Sequence, residues 1–143
     1  MLVRLMYASR AAQPLRPDAL AAILRKSTRN NGAAGVTGLL CHTDAVFLQV
    51  LEGGRDAVSA LYNRIVRDPQ HEDVTLLLYE EIEERSFAGW AMGRVDMTRL
   101  NPALVLKYSE KAELDPYAMP GTVALMLLDE LVATAQVTCP GAA

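Results

Sequence analysis

Residues 46–53 read VFLQVLEG, a stretch that is apolar on both faces. With the period of two of an extended chain, Val46, Leu48 and Val50 point one way, and Phe47, Gln49 and Leu51 the other. A strand of this kind must be covered on both sides. The chain therefore needs a sheet with apolar cover on both faces. Gln49 adds a second demand. Burying a primary amide unpaired costs on the order of 1–3 kcal/mol, so a doubly covered strand must also bring this side chain a hydrogen-bond partner.

The rest of the chain supplies the layers. LVRLMYAS (2–9) reads as a strand with Val3, Leu5 and Tyr7 on one face. Pro17 or Asp18 opens a helix to about Asn31 with the stripe Leu20, Ile23, Leu24. Continued by helical steps, that stripe turns polar at Ser27 and Asn31, and Gly32 and Gly35 stop the helix. VTGLLCHT (36–43) and AVFLQVLEG (45–53) form a hairpin about Thr43–Asp44. A second helix spans Arg55 to Arg67, with Val58, Leu61, Tyr62, Ile65 and Val66 on one side, and Asp68–Pro69 ends it. VTLLLYEEI (74–82) is a fourth strand. RSFAGWAMG (85–93) holds a short fifth one, with Trp90 and Met92 on one face.

The order βαββαββ predicts an α+β, ferredoxin-like sandwich: a five-stranded mixed sheet with two helices on one face. A short helix is expected near 98–108. Another follows Pro120, with Val123, Leu127, Leu131 and Ala135 on one face, widened by Met126, Leu128 and Val132. So apolar a tail must cover the open face of the sheet or another subunit, and docking on the sheet is the favoured reading. The division expected is a domain over 1–95 and a C-terminal helical extension over 96–143.

Composition narrows the function classes. In 143 residues the net charge is −3, with Lys and Arg scattered, so no nucleic-acid footprint is present. No apolar run approaches the roughly 18 residues of a membrane span. The N-terminus lacks the pattern of a signal peptide. Cys41 and Cys139 lie far apart with no metal-type spacing, and His42 and His71 are the sole histidines. Disulfide, zinc and histidine acid–base chemistry have little material, and a cytoplasmic address fits.

Three polar side chains stand where core is expected: Tyr7, Asn31 and Gln49. In a ferredoxin-like sheet the first and third strands are central neighbours beneath the helices. The three can then meet there. A hydroxyl and two amides offer donors and acceptors suited to the edge of a flat heterocycle with a carbonyl, an N–H and a ring nitrogen. Simpler roles stay open at this point for two of them: packing for Tyr7 and a helix C-cap for Asn30 or Asn31. A strand glutamine usually faces solvent, but Gln49 shares its face with Phe47 and Leu51 on a strand apolar on both sides.

NNGAAGVTGLL (30–40), FLQVLEG (47–53) and RSFAGWAMG (85–93) resemble as a set the signature of BLUF domains, blue-light receptors that bind FAD. LMYAS around Tyr7 and YNRIVRDPQH (62–71) fit the same family in order and spacing. The resemblance covers about residues 1–95 and is to the family's short, single-domain type. It implies a non-enzymatic photoreceptor with non-covalent FAD, for which FMN or riboflavin can substitute in recombinant material. The photoactive tyrosine falls on Tyr7, the flavin-contacting asparagine on Asn31, the switching glutamine on Gln49, and the mobile tryptophan and methionine on Trp90 and Met92. The ring is expected between the two helices, which makes Ile23, Leu24, Ser27 and Ile65 cofactor-binding candidates, with Asn30 in support. The family's basic residue before its histidine is here Gln70. Arg64, Arg67 and His71 are left as candidates for the flavin tail, and a plain surface position is the simpler reading of His71.

What the resemblance implies mechanistically is light-driven electron and proton transfer from Tyr7 through Gln49, which rearranges the hydrogen bonds around the flavin. The signal would leave through Trp90 and Met92 to the tail and on to a protein partner, with a homodimer also compatible. Three rival readings fit the residues less well. A ferredoxin-like regulatory module would bind a small ligand in the same pocket without photochemistry. An acylphosphatase-like hydrolase needs an anion loop that AAQPLRP does not provide. A nucleic-acid reader lacks the necessary charge.

Overall fold

The computed structural model describes residues 1–134, 136 and 137. Among these, five strands form one mixed sheet in the order β4-β1-β3-β2-β5. They are β1 (Leu2–Ala11), β2 (Thr37–His42), β3 (Val46–Gly54), β4 (His71–Ile82) and β5 (Gly93–Asp96). The pairings are antiparallel except for β2 with β5. The doubly apolar β3 is the central strand, as its composition requires. α1 (Pro17–Ala34) and α2 (Arg55–Arg67) cover one face. Their core holds Val3, Leu5, Leu20, Leu24, Leu51 and Val58.

The opposite face is covered by the tail. α3 (Pro102–Leu106) is short, and α4 (Gly121–Ala133) lays Ala124, Leu127, Leu128 and Leu131 against Met6, Leu48 and Val50. Burying a leucine side chain fully contributes about 1.5–3 kcal/mol, so α4 is a substantial part of this core. Gly121 permits its close approach: a Cβ there would lie 2.3 Å from the Leu77 carbonyl oxygen of β4.

Several boundaries differ from the sequence reading. Gly32 does not stop α1. The helix runs on to Ala34, and Gly35 ends it in the left-handed conformation at φ 71°. Asn31 is thus a helical residue facing inward, not a cap. The fifth strand exists but lies later than expected, entering only at the last residue of the 85–93 stretch. Residues 85–92 form bends and turns, and β5 begins at Gly93. Trp90 and Met92 accordingly do not share a face: Trp90 packs toward the α4 side and Met92 into the α1/α2 side. Val66 and Met126 are exposed because each lies beyond the edge of its helix's buried stripe. The helix expected near 98–108 is a 3₁₀ turn at Met97–Arg99 followed by α3, which starts at Pro102 behind the Asn101 cap. Ala135 and Cys139 lie outside the described residues.

Candidate functional site

Tyr7 of β1 and Gln49 of β3 are register partners in adjacent strands, on the face beneath α1 and α2. The Tyr7 hydroxyl donates to Gln49 Oε1. Gln49 Nε2 donates to Met92 Sδ at 3.3 Å. Asn31, near the C-terminal end of α1, donates from Nδ2 to the Ala91 carbonyl at 3.4 Å. All four side chains are buried. The partner that the burial of Gln49 demanded is therefore the phenol on one side and a thioether on the other. A thioether is a weak acceptor, so the amide nitrogen retains donor capacity.

Burial pushes the Tyr7 phenol far above the ordinary tyrosine value, and the neighbouring Tyr62 and Asp68 push the same way. It is a protonated donor throughout the working pH range. His71, at the start of β4, closes the same end of the site. Its Nδ1 lies 2.8 Å from the buried Ser9 Oγ, and its ring packs on Phe47 at 5.1 Å and edge-on to Tyr7 at 6.4 Å. A surface position is thus wrong for His71, because the β1/β4 pairing draws it in. Desolvation lowers its pKa, partly offset by Asp68.

Between α1 and α2 a cavity of about 250 Å³ opens over this cluster. Ile23, Leu61 and Ile65 supply apolar helical walls, and Leu40 and Phe47 the floor. Tyr7, Ser27, Asn31 and Gln49 supply polar atoms, with Asn30, Arg64 and His71 also lining it. Leu24, Arg67 and Met92 do not line it. Leu24 is turned into the core one step round α1 from Ile23, Arg67 is exposed at the end of α2, and Met92 is buried in the same core with its sulfur on Gln49. Lys26 and Asp68 line the cavity without having been binding candidates from sequence, and Gln70 lines it at the position where the family has a basic residue. Lys26 lies one residue before Ser27, and the helical spacing alone carried no signal for a rim position.

The donor set fits a planar heterocycle with a polar edge. Apolar walls suit its faces, and amide and hydroxyl groups suit its edge. The volume lies just below the roughly 300–1,000 Å³ of drug-sized pockets. It can admit a ring, while a longer tail must lie at the rim, where Lys26 and Arg64 offer positive charge. Among the described residues no cluster of His, Cys, Asp or Glu could hold a metal ion, and no helix is long and apolar enough to cross a membrane.

Comparison with known proteins gives a consistent result. A family model described as "BLUF: Sensors of blue-light using FAD" matches residues 2–93. A photoactivated adenylate cyclase subunit beta of Euglena gracilis is 43% identical over 86 residues, which is 60% of this chain and 10% of that protein. The chain thus spans about a tenth of the length of this curated relative. The solved structure of BlsA in its photo-activated state superposes with a TM-score of 0.82 at 30% identity, covering 92% of this chain and 95% of the other. BlrB, a BLUF protein in its dark state, gives 0.77 at 30% identity, covering 94% and 96%.

Proposed function

The chain belongs to the BLUF family of blue-light sensors using FAD, and on that premise we propose that Tyr7, Gln49 and Met92 form its light-operated switch. The carrying observation is the buried hydrogen-bond chain from the Tyr7 hydroxyl through the Gln49 amide to the Met92 sulfur, at the floor of a cavity suited to a flat ring. When bound, the flavin supplies the blue-absorbing group and an excited state able to accept an electron. Tyr7 is the donor: its phenol loses an electron readily, and the proton then has a ready acceptor in Gln49 Oε1. Return of the electron and proton to Tyr7 would leave the Gln49 amide in its other arrangement, with the carbonyl and the NH₂ exchanged in role. Asn31 and Gln49 would hold the edge of the ring. Ile23 and Ile65 would flank its faces, Ser27 and Asn30 would border it, and Lys26 and Arg64 would meet the phosphates of the tail.

The family's domains are sensors. For this chain we infer a photoreceptor without catalysis of its own, whose flavin-binding unit is residues 1–95 and whose output passes through the extension from residue 96 to a protein partner. A changed Gln49 alters what Met92 meets. Met92 stands at the entry to β5, and β5 leads directly into that extension. This is a local hydrogen-bond change biasing a packed element. A non-photochemical ligand-binding module would use the same cavity and the same Tyr7–Gln49 contact, and response to light separates the two readings.

The test is direct. Protein purified in the dark should be yellow, and its flavin spectrum should shift reversibly to the red under blue light. A colourless protein that cannot be loaded with FAD would sink the reading, and so would a loaded protein whose spectrum ignores blue light.

A further inference from the structure

Glu52 follows Gln49 by three residues on β3 and so projects to the opposite face of the sheet, where it is fully buried. An isolated buried carboxylate is strongly disfavoured, so such a group persists only with partners. Its partners are unusual in kind. Oε1 accepts from the Phe87 backbone N–H at 2.7 Å, and Oε2 from the Ser86 backbone N–H at 3.1 Å. Oε2 also accepts from Arg4 Nε at 2.9 Å. Arg4 in turn donates to Ser86 Oγ at 2.7 Å and pairs with Glu80 at 2.5 Å. One buried ion pair thus clamps two consecutive amides at the start of the segment that leads to Met92. Asp129 of α4 lies within electrostatic reach of both members of the pair.

Downstream of the clamp the holds are weaker. The Trp90 carbonyl accepts from Gly38 N–H at 3.0 Å, the Ala91 carbonyl takes the long contact from Asn31, and Met92 takes a sulfur contact from Gln49. Ala88 and Gly89 are exposed. The segment therefore has a root at Ser86–Phe87 held by charge-assisted bonds and an end at Trp90–Met92 held by neutral hydrogen bonds and packing.

We propose that Glu52 is a positioning residue for the light response: it fixes the root of the 86–92 segment, so that rearrangement of Gln49 is expressed at Trp90–Met92 and not dissipated along the loop. This rests on the photoreceptor reading above, with Glu52 touching neither the cavity nor Gln49. Charge-assisted bonds to two backbone amides are stronger than neutral ones, and the Glu52→Gln variant keeps the shape while halving what the carboxylate offers, because its NH₂ cannot accept.

The experiment compares wild type and Glu52→Gln as full chains loaded with FAD, by amide exchange in the dark and by recovery of the spectrum after blue light. The expected result is equal flavin loading, exchange at Gly38 and Trp90 at least tenfold faster in the variant with β1 amides unchanged, and a lit-state lifetime altered at least fivefold. A merely structural role would speed exchange throughout and leave the lifetime alone. A lifetime within twofold of wild type overturns the proposal whatever the exchange shows, and so does dark exchange at Gly38 and Trp90 within twofold of wild type. If wild type itself fails to redden, the photoreceptor reading fails, while the dark exchange at Gly38 and Trp90 still decides whether Glu52 holds the segment. Should Glu52→Gln not fold, Glu52→Asp keeps the charge but shortens the reach, and the same two outcomes apply to it.

Discussion

Gln49 faces Tyr7 directly across the β1/β3 pair, and the phenol donates into its carbonyl oxygen. A phenol hydroxyl both donates and accepts. It can therefore satisfy either end of the amide: the carbonyl as donor, or the NH₂ as acceptor. That property makes the contact a two-position element without leaving a buried group unpaired in either position. A serine would do as much at shorter reach, but of the two only a phenol is readily oxidised by one electron.

Tyr7→Phe removes the hydroxyl and leaves Gln49 Oε1 buried without its partner. A loss of about 1–3 kcal/mol in unfolding free energy is expected. Because phenylalanine keeps the ring and the apolar helical walls are unchanged, FAD should still be taken up and the protein should remain yellow. The reversible red shift should vanish. Urea denaturation and light-minus-dark spectra check both parts, and a Tyr7→Phe protein with a full red shift would remove Tyr7 from the donor role.

Gln49→Leu should likewise abolish the full red shift while keeping the flavin. Its energetic signature is coupling. Each single change orphans one partner of a buried pair, whereas the Tyr7→Phe/Gln49→Leu double variant removes both. The double variant should be more stable than the sum of single losses predicts, by about 0.5–3 kcal/mol. Strict additivity would mean that the two side chains do not bond in the folded protein.

How much of this was readable beforehand depended on the kind of signal. The central position of β3 followed from its two apolar faces, and the oddity of Gln49 followed from its apolar neighbours. α4 declared itself through leucine spacing. The path of residues 85–92 did not. Alternating Trp90 and Met92 imitate a strand, and what bends the chain there is a buried carboxylate on β3, thirty-odd residues earlier. No local pattern carries a bond of that range. The inward position of His71 was hidden for the same reason, since it depends on Ser9 across the β1/β4 pair. Gly32 misled because glycine marks helix ends often, yet here the left-handed residue is Gly35.

Lys26 and Arg64 at the rim should matter only for the charged tail of the cofactor. In Lys26→Ala, FAD affinity should fall by roughly tenfold, equivalent to about 1.4 kcal/mol, and riboflavin affinity should stay within twofold. The FAD loss should also shrink in high salt, as screening removes the same interaction. Titration of the protein with each flavin separates the cases. Equal loss for both flavins would place Lys26 against the ring, and no loss for either would take it out of binding.

Acidification should destabilise the fold before most carboxylates titrate. Desolvation lowers the pKa of His71 against a smaller opposing pull from Asp68, and lowers that of His42 with Arg94 adding to the effect. Above the ordinary histidine value of about 6.5 both rings are neutral in folded and unfolded chains, and they contribute no pH dependence. As pH falls below that value, the unfolded chain takes up protons that the folded chain still refuses. Stability must therefore decrease, and it goes on decreasing until the folded rings also protonate. Urea midpoints should drop between about pH 7.5 and 5.5, a window lying above the ordinary carboxylate range near 4. His71→Asn should remove part of the drop and leave the His42 share. A wild-type midpoint that holds or rises on acidification, or a drop equally large in His71→Asn, would show that the imidazole beside Ser9 and Tyr7 is not held neutral by the fold.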